Sequence, residues 1–288
     1  MADIYTSSGI IASTVLAEEI DRNVLSALQA EMRVVPLIRN IDCSNAKTKS
    51  YSIPTFGTVT AATIGETADL TSSAFTPTDV SITRGEIGWM TILTDTAAEV
   101  SVASGLAATI GAEAAKGFGR KMDSDVTALF SALNGGTKVG TAASTMSVNF
   151  FLNAIYTLEA SNVNGMLNAV LHPVQVNSLR KAVAASTAVA IERFIAEKAR
   201  PDGFVGSIYG VDTYQTTLLT AVDGATATQW YGAMLGSGNE SPLAIGIWRP
   251  VRTEIQRDAT RRGNEIVVSA AYGVVEQRDL AGVAIQSK

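Results

Sequence analysis

The residues able to do chemistry in this chain are few and scattered. His172 is the only histidine. With a single imidazole no His-based metal cluster can be built, and His172 alone could act as the base of a Ser/His or Cys/His pair. It stands between the apolar run Leu167 to Leu171 and Pro173, where a strand-end histidine without catalytic duty is the favoured reading. Cys43, the only cysteine, is flanked by Asp42 and Ser44. A neighbouring acid raises a thiol pKa, which argues against a reactive thiolate. Asp123 and Asp125 look like a carboxylate pair, but side chains two apart on a helix diverge. Solvation or an ion pair with another chain is expected of them. Gly232 to Gly238 is glycine-rich, yet no Lys-Ser/Thr follows it and no Rossmann spacing appears, so a turn between strands is expected rather than a phosphate loop. Arg257, Arg261 and Arg262 with Asp258 read as a charged turn, solvated or touching another subunit. Trp89, Trp230 and Trp248 each fall in a strand pattern and are expected in the core. A carboxylate enzyme would have to use Glu66, Asp69 or Asp125, none of which comes with a recognisable partner set. No catalytic, cofactor-binding or metal-binding residue is assigned.

Composition narrows the classes further. The chain has 288 residues, 47% of them apolar, which suffices for a real core. Only 17% are charged, against about 25% in ordinary soluble domains. Much surface therefore need not face water, and burial between subunits would explain it. A formal net charge of -5 argues against nucleic-acid binding through a basic patch. No run of 18 apolar residues is present, so no transmembrane helix is expected. Met1-Ala-Asp-Ile-Tyr has an acid and no basic region, so a secretory signal is not expected, and a cytoplasm is the expected site of synthesis.

The elements that would position these residues are organised around Ser104 to Leu133. Leu106, Ile110, Ala114, Phe118, Met122, Val126 and Phe130 recur every fourth residue, which predicts one long amphipathic helix. Asn134-Gly135-Gly136 would stop it. Such a helix would be about 45 Å long. Gly105, Gly111, Gly117 and Gly119 within it are expected to let another element pack close. Before it, residues 1–40 read as an arm with a helical portion from Val15 to Leu28, broken at Pro36. From Ala46 to Thr94 the period is two. Ser50 to Pro54 and Thr78 to Thr83 predict strands, and Gly88 to Thr94 a more buried one. Between them Thr55 to Thr76 is rich in Thr, Ala, Gly and Ser, as in a projecting hairpin, which is marginal alone in water and needs another chain to lie on.

After the long helix, Val148 to Leu158 predicts a helix, Leu167 to His172 a short buried strand, and Pro173 the first residue of a helix to Val183. A further helix is expected over Ala188 to Lys198. This alternation marks an α/β layer. Strands are then expected around Tyr209 to Tyr214, and over Gln229 to Leu235, Leu243 to Trp248, Val251 to Arg257, Glu265 to Val275 and Val283 to Ile285.

This order of elements resembles the major capsid proteins of tailed bacteriophages, the Hong Kong 97-type fold. The stretches that carry the resemblance are the N-terminal arm, the hairpin from Tyr51 to Ile82 ending in Thr83-Arg84-Gly85-Glu86-Ile87-Gly88-Trp89, the polar segment Leu93 to Glu99, and the long helix closed by Asn134-Gly135-Gly136. Ala169-Val170-Leu171-His172-Pro173 and Leu243 to Trp248 with the strands after it complete the order. The resemblance implies an α+β, Hong Kong 97-like fold. Its parts would be an N-arm (1–45), an extended loop with flanking strands (46–94), a peripheral domain on the spine helix (95–149), an α/β axial domain (150–242), and peripheral-domain strands with the C-terminus (243–288). It further implies a non-enzymatic subunit forming hexamers and pentamers of an icosahedral shell. Packaged double-stranded DNA would be bound without sequence specificity, and a scaffold, portal or decoration protein would be a partner. The place would be the virion, after assembly in a host cytoplasm, with no membrane and no cofactor. Some members crosslink through a Lys and an Asn, but Thr55 to Thr76 contains no Lys. The competing readings are an encapsulin-like compartment of the same fold and a soluble α/β enzyme.

Overall fold

The computed structural model describes residues 28, 32–55, 61, 63, 77–95, 106–163, 165–185, 203–222 and 228–288. The period-two segments form strands in two main sheets and one separate hairpin. In the first sheet β1 (Arg39–Asp42) runs parallel to β10 (Leu243–Asp258), which pairs antiparallel with β11 (Gly263–Glu276), which pairs antiparallel with β4 (Gly85–Thr94). The hairpin is β2 (Ser50–Thr55) with β3 (Thr78–Thr83), in register from Ser50 opposite Thr83 to Thr55 opposite Thr78. Pro54 does not end β2, because Pro is tolerated where no ladder bond is needed from its nitrogen.

The helical stripe forms α1 (Leu106–Thr127). Ala114, Ala115, Phe118, Met122 and Val126 are buried against Ile266, Val268 and Ala270 of β11 and against Leu243 and Ile245 of β10. Burying a side chain the size of Phe118 contributes about 1.5–3 kcal/mol. The helix is shorter than the stripe predicts, about 33 Å at 1.5 Å per residue. Its regular part closes at Thr127, whose hydroxyl donates to the Leu218 carbonyl at 2.7 Å. The chain then tightens into a 3-10 turn, Phe130–Ala132. Phe130 and Leu133 stay in the core without belonging to the helix. Asn134, Gly135 and Gly136 all adopt positive φ (57°, 60° and 75°), but they turn the chain after the 3-10 turn and do not close the helix itself, the role expected of them. The expectation of close packing fails at Gly117, where a Cβ would meet nothing within 4 Å. Ser104 and Gly105 lie outside the described residues.

The second sheet has the order β5 (Lys138–Val139), β12 (Gly282–Ser287), β9 (Trp230–Gly236), β6 (Leu167–Leu171), β8 (Val211–Gln215), β7 (Phe204–Ile208). Two helices cover it, α2 (Val148–Ala160) and α3 (Pro173–Ala185). Ser147 caps α2 by accepting from the Phe150 amide at 3.3 Å. Phe151, Ala154 and Leu158 of α2 and Leu179 of α3 share one core with Leu171, Val283 and Ile285. The expected helix over Ala188 to Lys198 and the expected arm helix, apart from Leu28, lie outside the described residues.

Three expectations are corrected here. Gly232 and Gly236 are inside strand β9 rather than in a turn. A Cβ at Gly232 would lie 2.7 Å from Leu171 Cδ2, and one at Gly236 2.6 Å from the Glu240 carbonyl, so these glycines serve close strand packing. Leu243 to Trp248 and Val251 to Arg257 are one strand, β10, with an irregular register between Ile247 and Arg252. The third concerns β4, which is a sheet edge and not a buried strand. Its outer residues Trp89 and Met90 are 41% and 53% exposed.

The sheets meet where the chain crosses between them. The Pro242 carbonyl, on the β9–β10 crossing, accepts from the Gln277 amide at 2.7 Å and the Arg278 amide at 3.1 Å, both on the β11–β12 crossing. Because Phe118 is 5% exposed in the core that joins α1 to β10 and β11, Phe118→Asp buries an unpaired charge at a cost of several kcal/mol. The expected outcome is loss of soluble, cooperatively folded protein, read by circular dichroism and thermal melting.

Candidate assembly surfaces

The polar residues singled out in the sequence do not converge. Asp123 is fully buried, which corrects the expectation of solvation or an inter-chain ion pair. Its carboxylate accepts from three successive backbone amides of the arm: Arg33 at 2.8 Å, and Val34 and Val35 both at 3.1 Å. Burial pushes the Asp123 carboxyl up, while the amides pull the other way. The helical spacing of Asp123 with Gly119 and Thr127, all on one buried face, was the signal that could have placed it. Asp125 diverges from Asp123 as expected. It accepts from Tyr272 Oη at 2.6 Å and from Lys121 Nζ at 2.6 Å.

His172 ends β6, its ring stacked on Trp230 at 3.8 Å between centroids and 7° between planes. Its Nδ1 accepts from the Val174 amide at 3.3 Å, and burial holds its pKa below the usual histidine value. Cys43 is buried and its thiol pKa is raised, by burial first and the Asp42 charge second. Arg257 grips Asp95 with both guanidinium ends, at 2.5 and 2.6 Å, and Asp258 caps its own turn through Thr260. Glu66 and Asp69 lie outside the described residues. Among the described residues no group of three or more His, Cys, Asp or Glu side chains could hold a metal ion, and no helix is long and apolar enough to cross a membrane.

What the structure presents instead is exposed apolar surface beside unpaired backbone. The tryptophans divide: Trp248 is buried with Cys43, Ile82 and Ala244, Trp230 is half-buried, and Trp89 is exposed. The core expectation for Trp89 fails because β4 has no strand on its outer side among the described residues. Between β4 and α1 runs an open groove of about 400 Å³, floored by Ile87, Trp89, Ala114 and Phe118 and rimmed by Glu113 and Lys121. The hairpin β2–β3 is tied down on one side only, by Ile53 and Ile82 packing on Trp248 and Ala271. Its other side is exposed. Over the second sheet, Tyr156 of α2 is 70% exposed and Met166 is 72% exposed.

No family model matches the chain, and no curated protein matches it. Solved structures do. A capsid structure of the cyanophage P-SCSP1u superposes with a TM-score of 0.66 at 14% identity, covering 88% of this chain and 86% of that one. The capsid of a native gene transfer agent particle gives 0.65 at 15% identity, covering 90% of each. The chain has the tailed-phage capsid fold. A virus-like particle from Pyrococcus furiosus also matches, with a TM-score of 0.60 at 9% identity, covering 93% of this chain and 98% of that one.

The clamp generates a prediction. Asp123→Ala leaves three amides without their acceptor, and one unpaired buried donor costs about 1–3 kcal/mol. The expected outcome is a destabilisation of about 2–4 kcal/mol. Protease cleavage near Arg33 should appear under conditions where the wild type is intact, read by limited digestion and mass spectrometry.

Proposed function

We propose that this chain is the major capsid protein of a tailed bacteriophage, a non-catalytic subunit that assembles with its own copies into an icosahedral shell around double-stranded DNA. The observation that carries this reading is the match to phage and gene transfer agent capsids along nearly the full length of both chains. The low charge content, the exposed β4 edge and the one-sided hairpin support it, since each would be satisfied by a neighbouring copy. Hexamers and pentamers are the proposed assemblies, with a scaffold, portal or decoration protein as further partners. The virion is the proposed place, reached by assembly in a host cytoplasm. The proposed parts follow the expected division into arm, extended loop, peripheral and axial domains, except at two strands that the division assigned to the peripheral part. The strands at 138–139 and 282–287 pair with the α/β sheet of the axial part. With a net charge of -5, DNA would be enclosed with little attraction, which suits packing and later release.

The match to the Pyrococcus furiosus particle supports a second reading, a compartment shell of the same fold with a protein cargo. Electron microscopy of the expressed chain, alone and with its genomic neighbours, tests both. Closed shells or rings of five and six are expected, and their contents, DNA or protein, separate the two readings. Compact monomers under every condition would return the enzyme reading.

Two variants test which surfaces build the shell. Deleting Phe56 to Phe75 should leave a folded subunit with a wild-type melting transition but block shell growth, because the hairpin tip serves a neighbour and not its own core. Normal shells from that deletion would show the hairpin is dispensable. Trp89→Lys, at an exposed position, should change monomer stability by no more than about 0.5 kcal/mol. It should raise the concentration needed for shell formation about tenfold or more, as measured by light scattering.

A further inference from the structure

The chain contains two Asn-Gly dipeptides, Asn134-Gly135 and Asn164-Gly165. Such a dipeptide is chemically weak in water. The glycine nitrogen can attack Cγ of the asparagine before it, because glycine has no Cβ to hinder the approach and turns easily. The new N–C bond closes a five-membered imide. The glycine N–H proton passes through water to the departing side-chain nitrogen, which leaves as ammonia. Water then opens the imide at one carbonyl or the other, giving aspartate or isoaspartate.

In both dipeptides the attacking nitrogen is already engaged. The Gly135 amide donates to Asp279 Oδ1 at 2.9 Å, and the Gly165 amide donates to Glu240 Oε2 at 3.1 Å. These acceptors lie 144 and 75 residues further along the chain. Each stands on a crossing between the sheets, Glu240 after β9 and Asp279 after β11. Both glycines are exposed, so burial does not keep water from them.

At Asn134 the backbone shows what the carboxylate opposes. The Gly136 amide donates to the Leu133 carbonyl at 3.2 Å, and Asn134 and Gly135 between them both have positive φ. This is a type I′ turn, in which ψ of the first central residue is about +30°. Imide closure needs that bond to rotate until the glycine nitrogen faces the asparagine Cγ. The rotation swings the Gly135 N–H off Asp279. It also swings the Asn134 carbonyl off the Thr137 amide, from which it accepts at 2.9 Å. The Asn134 amide, donating to the Asp279 carbonyl at 3.2 Å, fixes the near side of the same bond. A carboxylate is a weak base, so its hold on an amide restrains the nitrogen rather than activating it.

We propose that Asp279 and Glu240 guard the two Asn-Gly bonds, each holding the glycine amide away from the asparagine side chain and so slowing the conversion of Asn134 and Asn164 to aspartate and isoaspartate. The two asparagines are thereby modification sites kept closed by distant carboxylates. Attack waits on local opening, and its rate falls with the free energy of that opening. The bearing of the guards on the lifetime of an assembled shell rests on the capsid reading. The chemistry does not.

Peptide mass spectrometry of the soluble full-length chain, incubated at pH 8 over days, tests this by reading the fraction of each asparagine converted. The same chain unfolded in guanidinium chloride gives the unrestrained rate at each site. In the folded wild type both sites should convert at least about tenfold more slowly. Asp279→Ala should raise conversion of Asn134 about fivefold or more, as loss of a hydrogen bond to a charged group implies, and leave Asn164 as in wild type. Glu240→Ala should do the converse. Asp279→Asn and Glu240→Gln keep an oxygen acceptor and should stay near the wild-type rates. Each site is the control for the other, since a variant that has lost its fold converts both at the unfolded rate. Asp279→Ser and Glu240→Ser, whose hydroxyls fall short of the glycine amides, then take the place of the alanine variants. Wild-type rates equal to the unfolded ones would overturn the proposal. So would an alanine or serine variant whose own site converts at an unchanged or slower rate, the slower rate marking the carboxylate as a promoter of attack. Because the soluble chain is measured, a failure to form shells would overturn the capsid reading and leave this result standing.

Discussion

The long antiparallel pairing of β10 with β11 is the constraint on which the other elements depend. It runs from Leu243 opposite Glu276 to Asp258 opposite Gly263. One face gives α1 the surface along which Phe118, Met122 and Val126 are buried. The other face holds the described part of the hairpin, through Ile53 and Ile82 against Ala244, Trp248 and Ala271. Its two sides take β1 and β4. Its inner ends, at Leu243 and Glu276, are where the chain departs for the second sheet, so the spacing between the sheets is set by where this ribbon stops. The register irregularity between Ile247 and Arg252 bends it midway. An added twist at such a bulge lets a long ribbon follow a helix on one side and still meet a second sheet at its end.

Around this ribbon the polar groups do structural work at chain crossings. Asp123 is the clearest case. A fully buried carboxylate is costly unless its oxygens are satisfied, and three amides from the arm satisfy them. The described end of the arm is thereby tied to α1 by this carboxylate as well as by Val34, Val35 and Ile38 packing in the same core. Gln175 does the same for the second sheet on a smaller scale, its Nε2 donating to the Trp230 carbonyl at 3.0 Å and to Ser287 Oγ at 2.9 Å. These contacts explain why candidate catalytic side chains are spread apart. Asp123 and Asp125, two residues apart, are each spent on a different partner, the arm amides for one and Tyr272 with Lys121 for the other.

Much of the architecture was legible in the sequence because hydrophobic period is a local signal. The body of the α1 stripe from Leu106 to Val126, Pro173 at the start of α3 and the strands near the C-terminus stand where the pattern puts them, though two of the expected strands are one. What was not legible depended on neighbours far along the chain. Trp89 has the composition of a core strand residue, but burial of β4 requires a strand on each side, and β11 supplies only one. The glycines of β9 look like a turn until the closeness of Leu171 and Glu240 is known. Thr127 has nothing in its own sequence context to mark the end of the helix; one carbonyl that receives its hydroxyl belongs to Leu218, far along the chain. Asp123 was misjudged for the related reason that a buried carboxylate and a solvated one look alike until the amides that face it are placed.

The edge strand β4 shows how one surface can be both sticky and selective. An open apolar edge invites any strand to pair with it, and proteins usually blunt such edges with charge. Here the charge sits at the ends and not along the middle. At the start, Glu86 is paired with Arg84 and faces Arg249 at 3.9 Å. Just past the end, Asp95 is held by Arg257. Between them Trp89 and Met90 stand exposed on opposite faces of the strand, Trp89 lining the apolar groove against α1. Exposed ion pairs of this kind contribute little to the stability of the subunit itself. They make partial or shifted pairing costly, since a slipped partner would have to desolvate one charged end without covering the apolar centre. A partner of matching length escapes that penalty. Under the proposed capsid reading, such an edge would keep a subunit dispersed until many copies present the matching surface together, which is the behaviour a closed shell requires.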